Sequence, residues 1–196
     1  MRKLSYVITF LAVVVSLIVT ILSLQRVDWL VVKTPEILHT QITVRYGLTT
    51  LSYDCRPFPK RVQDGCEEEN SGFCAAWTSA GYAVEISIGF AVLALFAILI
   101  GVSTGSRRRR IWKAVAGLVA LQSVMQIVAF AIVTDTMRTG AFPTFEDAKP
   151  GTGYVFNTFA WIFSAVIATG VVVTGVFADK GHKWAAGNRA YRRIDA

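Results

Sequence analysis

Residues 81–102 read GYAVEISIGFAVLALFAILIGV, with a single charge, Glu85, in an otherwise apolar run. A run of this kind, at 1.5 Å per residue, crosses the ~30 Å hydrocarbon core of a bilayer. Three others match it: Tyr6–Leu24, Trp112–Val133 and Tyr154–Phe177. Composition agrees, with 54% hydrophobic residues, 17% charged and a mean hydropathy of +0.49. A soluble domain carries far more charge. Met1-Arg2-Lys3 before the first run resembles the basic start of a signal peptide. Its apolar core exceeds the roughly 7 to 15 residues of a signal h-region, and no small-x-small cleavage site follows, so it reads as an anchor.

Just upstream of 81–102 lies the polar stretch 55–74, CRPFPKRVQDGCEEENSGFC, which holds all three cysteines, Cys55, Cys66 and Cys74. Thiols gathered on one side of a membrane point to an oxidising compartment and a stapled outer domain. Charge supplies an independent orientation. Twelve bases and two acids flank the ends and the middle turn, including Arg107, Arg108, Arg109 and Arg110, whereas the other two loops and Glu85 hold eight bases and eleven acids. The positive-inside rule therefore puts both termini and the arginine turn in the cytoplasm, and the cysteines outside. Although the pI is about 9.6, these juxtamembrane bases read as topology signals that also meet anionic lipid headgroups, at about 1 kcal/mol each. No nucleic-acid partner is implied.

The expected organisation is one domain over 1–196, an all-α membrane bundle of four helices with a small extracellular antiparallel sheet as its cap. A large outer loop, 25–80, separates the first two helices. The turn Ser103–Ile111 makes helices two and three antiparallel neighbours, and a smaller outer loop, Thr134–Gly153, joins three and four. Within the large loop, Val27–Lys33 is rich in β-formers and Gln41–Tyr46 alternates polar with apolar, both strand signals. Leu48–Tyr53 reads as a third strand after a bend at Gly47. Arg56-Pro57-Phe58-Pro59 and Asp64-Gly65 read as turns. Phe58, between prolines, either meets a partner from an exposed tip or packs on its own sheet.

These residues resemble the claudin and peripheral myelin protein superfamily. In that superfamily a tryptophan, a Gly-Leu-Trp segment and two cysteines mark the first extracellular loop of a four-helix membrane protein. Here the matching positions are Trp29, Gly47-Leu48, Cys55 and Cys66, and Ile42–Leu48 is similar to the family's third strand. Thr49 stands where a second tryptophan is expected, the Leu48–Cys55 spacing is longer than in animal claudins, and Cys74 is additional. Those departures look most like the divergent fungal claudin-like tetraspans of the cell cortex, mating-contact and pH-response families. The resemblance implies a Cys55–Cys66 disulfide, with Cys66–Cys74 a rival of equally comfortable spacing. Under the first pairing Cys74 is a buried inert thiol, an intermolecular bridge or a reactive group.

The remaining polar and aromatic positions have structural readings. Trp29, Trp77 and Trp112, near helix ends, suit interfacial belts. Glu85, about one turn inside the second helix, is expected to make a salt bridge or cap contact rather than a transport site. Gln122 and Gln126 share one helix face and hydrogen-bond across the bundle if they point inward. A pore lining needs a matching polar stripe on another helix, and none is evident. Ser87, Ala91, Ala94, Ser164, Ala168 and Gly170 permit close helix packing. His39 and His182 fall on opposite sides, there is no Cys-x-x-Cys, and Gly151-Thr152-Gly153 follows no strand. No catalytic, cofactor or metal site is expected.

Three functions fit this reading. The first is a claudin-like tetraspan of the plasma membrane that organises membrane domains or cell contacts by lateral self-association as a homo-oligomer. The second is an accessory subunit of a larger membrane channel, transporter or synthase. A pore or transporter in its own right comes third.

Overall fold

The computed structural model describes residues 3–33, 43–50, 56–103, 108–145 and 147–186. Four long helices dominate it: α1 (Lys3–Gln25), α2 (Ser71–Ser103), α3 (Arg108–Thr139) and α4 (Thr152–Asp179). All four are long and apolar enough to cross a membrane. They pack in a ring in which α1 touches α2 and α4, and α3 touches α2 and α4. This leaves α1 and α3 facing each other across the diagonal. A short helix, α5 (Lys183–Ala186), folds back against the end of α4, with Trp184 5.4 Å from Phe177. The chain is an integral membrane protein of four spans.

A three-stranded antiparallel sheet, in the order β2-β1-β3, covers one end of the bundle, called here the cap end. It comprises β1 (Leu30–Lys33), β2 (Thr43–Tyr46) and β3 (Lys149–Pro150). Leu30 stands opposite both Tyr46 and Pro150, so β1 is the central strand. The first two strands lie inside the stretches expected from β-propensity. The third does not: Leu48 and Thr49 form a bend, Thr50 makes an isolated bridge to Pro57, and 51–55 lie outside the described residues. Gly47 causes this departure. Its amide donates to the Thr50 carbonyl at 2.9 Å, closing a tight turn. A Cβ there would come within 2.7 Å of that same oxygen and 2.9 Å of the Val27 Cα. The chain thus turns away from β2, and the sheet takes its third strand from the loop between α3 and α4.

The second helix starts at Ser71, ten residues before the expected Gly81. These residues lack the apolarity of a span but keep a helical period. Phe73, Trp77 and Ala80 recur on one face, all buried. Against them pack Tyr46, Phe58, Phe142 and Phe145. Tyr46 and Phe58 lie 5.0 Å apart between ring centroids, Phe58 and Trp77 5.9 Å, and Phe73 and Phe142 4.9 Å. Phe58 is therefore the middle of the cap core, 2% exposed, and not a surface tip. Aromatic pairs at these separations contribute about 0.5–1.5 kcal/mol each beyond the area they bury.

Trp29 and Trp77 are also fully buried in protein, which overturns the interfacial-belt expectation for both. The Trp29 indole Nε1 donates to the Ser23 carbonyl at 2.7 Å, and Trp77 Nε1 donates to the Gly47 carbonyl at 3.2 Å. Trp112 is 7% exposed and lies against Gly175, where a Cβ would approach the ring within 2.3 Å.

Gly153 tests the Trp29 packing directly, since a Cβ would sit 2.5 Å from Trp29 Cδ1. Gly153→Ala is expected to lower stability by about 1–3 kcal/mol, as overpacking does. Gly72→Ala, which meets nothing within 4 Å, is expected to stay within about 0.5 kcal/mol of the parent. Thermal unfolding of both variants in detergent checks the contrast.

Candidate functional site

Two regions hold polar groups where lipid would otherwise lie. The first is inside the bundle. Gln122 and Gln126 are both fully buried, one turn apart on α3. Their side chains reach across the diagonal to α1, Gln122 Nε2 donating to Ser16 Oγ at 2.9 Å and Gln126 Nε2 to Thr20 Oγ1 at 2.6 Å. From α4, Ser164 Oγ pairs with Ser16 Oγ at 2.7 Å, and Asn157 Nδ2 donates to the Gln126 carbonyl at 3.1 Å. Higher up, Ser23 Oγ donates to the Gly153 carbonyl at 2.7 Å, and Thr152 donates to the Asp28 carboxylate. Together these groups form a polar column between α1, α3 and α4 that runs from Ser16 to the cap end.

Only the α3 half of this column is legible in the sequence. The matching polar stripe that is not evident there lies on both α1 and α4. The signal existed, because Ser16, Thr20 and Ser23 repeat at helical spacing, as do Asn157 and Ser164. Single hydroxyls in an apolar run usually bond to their own helix four residues back, which hides any longer reach. Below the column, Val13, Val119, Ile167 and Val171 belong to a hydrophobic cluster that also holds Tyr6 and Trp112.

The second region is the outer surface of α2. Thr78, Tyr82, Glu85, Gly89, Val92 and Phe96 alternate at spacings of four and three, and each is exposed. Glu85 forms no ion pair or hydrogen bond among the described residues, so the expected salt bridge is not found there. Eighteen residues from Ser103, it lies about 27 Å along the axis, near the cap-end edge of a ~30 Å core. At its upper end this face opens into a groove of about 820 Å³ lined by Arg61, Glu67, Ser71, Thr78, Ser79 and Tyr82 beside the disulfide.

That disulfide joins Cys66 to Cys74, with Cα atoms 5.5 Å apart. It corrects the Cys55–Cys66 pairing implied by the family resemblance, and it accounts for Cys74, which is bridged. Cys55 lies outside the described residues. The reason is local. Cys74 occupies the first turn of α2, and the amides of Asn70 and Cys74 bond back to Gly65 and Asn70, folding Cys66 onto the helix start. Gly65 adopts a φ of 65°, the left-handed conformation the Asp64-Gly65 turn requires. Asp64, nearly buried, receives a two-pronged bond from Arg56, at 3.0 and 3.2 Å, which anchors the same loop.

Of the other expected positions, Trp29, Gly47 and Leu48 are buried in the cap core and are structural. Arg107 lies outside the described residues, and Arg108–Arg110 form the first turn of α3. Among the described residues no group of three His, Cys, Asp or Glu side chains is placed to hold a metal ion. Compared with known proteins, the chain matches no family model and no curated protein. The fold and the two polar regions define its class, a four-span membrane protein with a sheet cap.

Non-reducing peptide mapping is expected to recover a linked Cys66–Cys74 peptide. Cys66→Ser and Cys74→Ser should each cost roughly 2–3 kcal/mol, the entropy of so short a loop, and the double variant should cost no more than either single one. Recovery of a linked Cys55–Cys66 peptide would overturn the assignment.

Proposed function

We propose that this chain is a claudin-like tetraspan of the plasma membrane that organises membrane domains or cell contacts by lateral self-association. In this reading the cap faces outward and both termini face the cytoplasm, as the charge distribution suggests. The observation that carries the proposal is Glu85. A carboxylate on the outer surface of a spanning helix is costly in lipid and finds a partner. Around it, Gly89 and Thr78 allow a second helix to approach closely.

The most suitable partner is a second copy. Two copies meeting symmetrically through α2 would bring two Glu85 carboxylates together, which disfavours a two-fold dimer. A head-to-tail contact avoids this. Arg26, exposed at the end of α1, lies against the Phe156 ring of α4 at 5.9 Å and so belongs to another side of the bundle. The approach of Gly101 to Tyr6 sets the register of α2 on α1. Counting up from that contact places Glu85 near Leu22, about 6 Å below Arg26. An arginine side chain spans such a step. Pairing Glu85 of one copy with Arg26 of the next is heterologous, and repeats into an open row rather than closing.

The second reading is an accessory subunit, in which a larger membrane protein supplies the base that meets Glu85. Charge exchange separates the two. Glu85→Arg and Arg26→Glu should each abolish self-cross-linking in native membranes, and the double exchange should restore it. If the single variants cross-link to themselves as the parent does, the row model fails. Loss of a larger co-migrating protein from Glu85→Arg, with no rescue by Arg26→Glu, selects the accessory reading.

A further inference from the structure

The polar column inside the bundle leaves several buried acceptors without a donor, and they can be located atom by atom. Thr20 Oγ1 donates its only proton to the Ser16 carbonyl at 2.8 Å. Toward Gln126 it can therefore only accept, so the Gln126 amide must present Nε2 to it and turn Oε1 away. Asn157 faces the Gln126 backbone carbonyl, which also only accepts, so its Nδ2 points there and Oδ1 is turned away. Neither oxygen has a hydrogen-bond partner, and the same holds for Gln122 Oε1, one turn deeper. All three side chains are 0% exposed. Asp28 Oδ1, at the upper end of the column, is a fourth buried acceptor without a partner.

Buried acceptors without donors are strongly unfavourable, and hydrocarbon around a bundle supplies none. We infer that the column between α1, α3 and α4 binds a short file of water molecules, reached from the cap end past Asp28 and ending at Gln122. Water suits the site because one molecule donates to two acceptors at once. A bare monovalent cation suits it less, since the deep oxygens are neutral amides and the only carboxylate, Asp28, sits at the mouth; burying the charge would go uncompensated.

The floor makes this a half-channel. Val13 lies almost one turn below Ser16, Val119 below Gln122, and Ile167 below Ser164, and Val13 and Val119 are 0% exposed. Counting nine residues from Gln25, Ser16 lies about 14 Å down α1, close to the middle of a ~30 Å core. The file therefore brings water from one face of the membrane to its centre and no further.

The test is water-to-protein magnetisation transfer by solid-state NMR on the full chain in phosphatidylcholine vesicles, with side-chain amides labelled. Gln122, Gln126 and Asn157 amides should build up signal from water at rates close to those of exposed cap residues, while Val119 and Ile167 methyls stay several-fold slower. Equal slowness of the amides and those methyls would mean a dry column and overturn the inference. Replacing sodium by N-methylglucamine should leave the amide shifts unchanged; a shift would make the occupant a cation instead. In Asn157→Leu, which fills the column above Gln122, transfer to Gln122 should fall several-fold. Unchanged transfer there would refute entry from the cap end. The unsubstituted chain keeps the question answerable if that variant fails to fold.

Discussion

Trp29 is held on four sides, and the cap depends on that one placement. Its amide donates to the Tyr46 carbonyl of β2 and its carbonyl accepts from Gly151, both at 2.9 Å, while its indole bonds to Ser23 at the end of α1. The ring lies against Gly153 in the first turn of α4, where no side chain fits. One residue thereby joins two spans to the two outer strands of the sheet. Since each bond is buried, loosening any of them leaves a polar group without water, which makes the junction cooperative.

The remainder of the cap is built outward from this junction. With β1 fixed, β2 carries Tyr46 into the aromatic core, where its hydroxyl reaches Thr144 at 3.0 Å in the second loop. The overlong start of α2 supplies Phe73 and Trp77 from the opposite side. The Cys66–Cys74 bridge and the Arg56–Asp64 pair then hold the connecting segment to the helix start. Both loops and the cap ends of α2 and α3 thus share a single apolar core.

Inside the bundle the chemistry differs by level. The half away from the cap is sealed by aliphatic side chains with Tyr6 and Trp112, and dispersion packing holds it. The half nearer the cap is held by amide and hydroxyl bonds across the α1–α3 diagonal, where glutamine has the reach that a small residue lacks. Hydrogen bonds in lipid fix which helix faces which. The inward polar column and the outward carboxylate on α2 occupy separate surfaces of the same four helices.

Read alone, the sequence determined the four spans, the uneven loops and the turn chemistry at Gly47 and Asp64-Gly65. It did so because lipid and backbone sterics act locally, on runs of consecutive residues. That Gln122 and Gln126 share one helix face was readable for the same reason, as a spacing on one helix, whereas their inward placement came from the fold. Only tertiary structure decided the disulfide partner, because Cys66 has two cysteines at workable spacing and the fold of 65–74 chooses between them. The third strand came from residues more than one hundred positions away, which no local pattern encodes. Trp77 read as an interfacial tryptophan, and only the packed cap showed that it and Phe73 form one buried helical face. The polar column was hidden for the most physical reason: Ser16, Thr20, Asn157 and Ser164 are individually ordinary, and they become a site only where three helices meet.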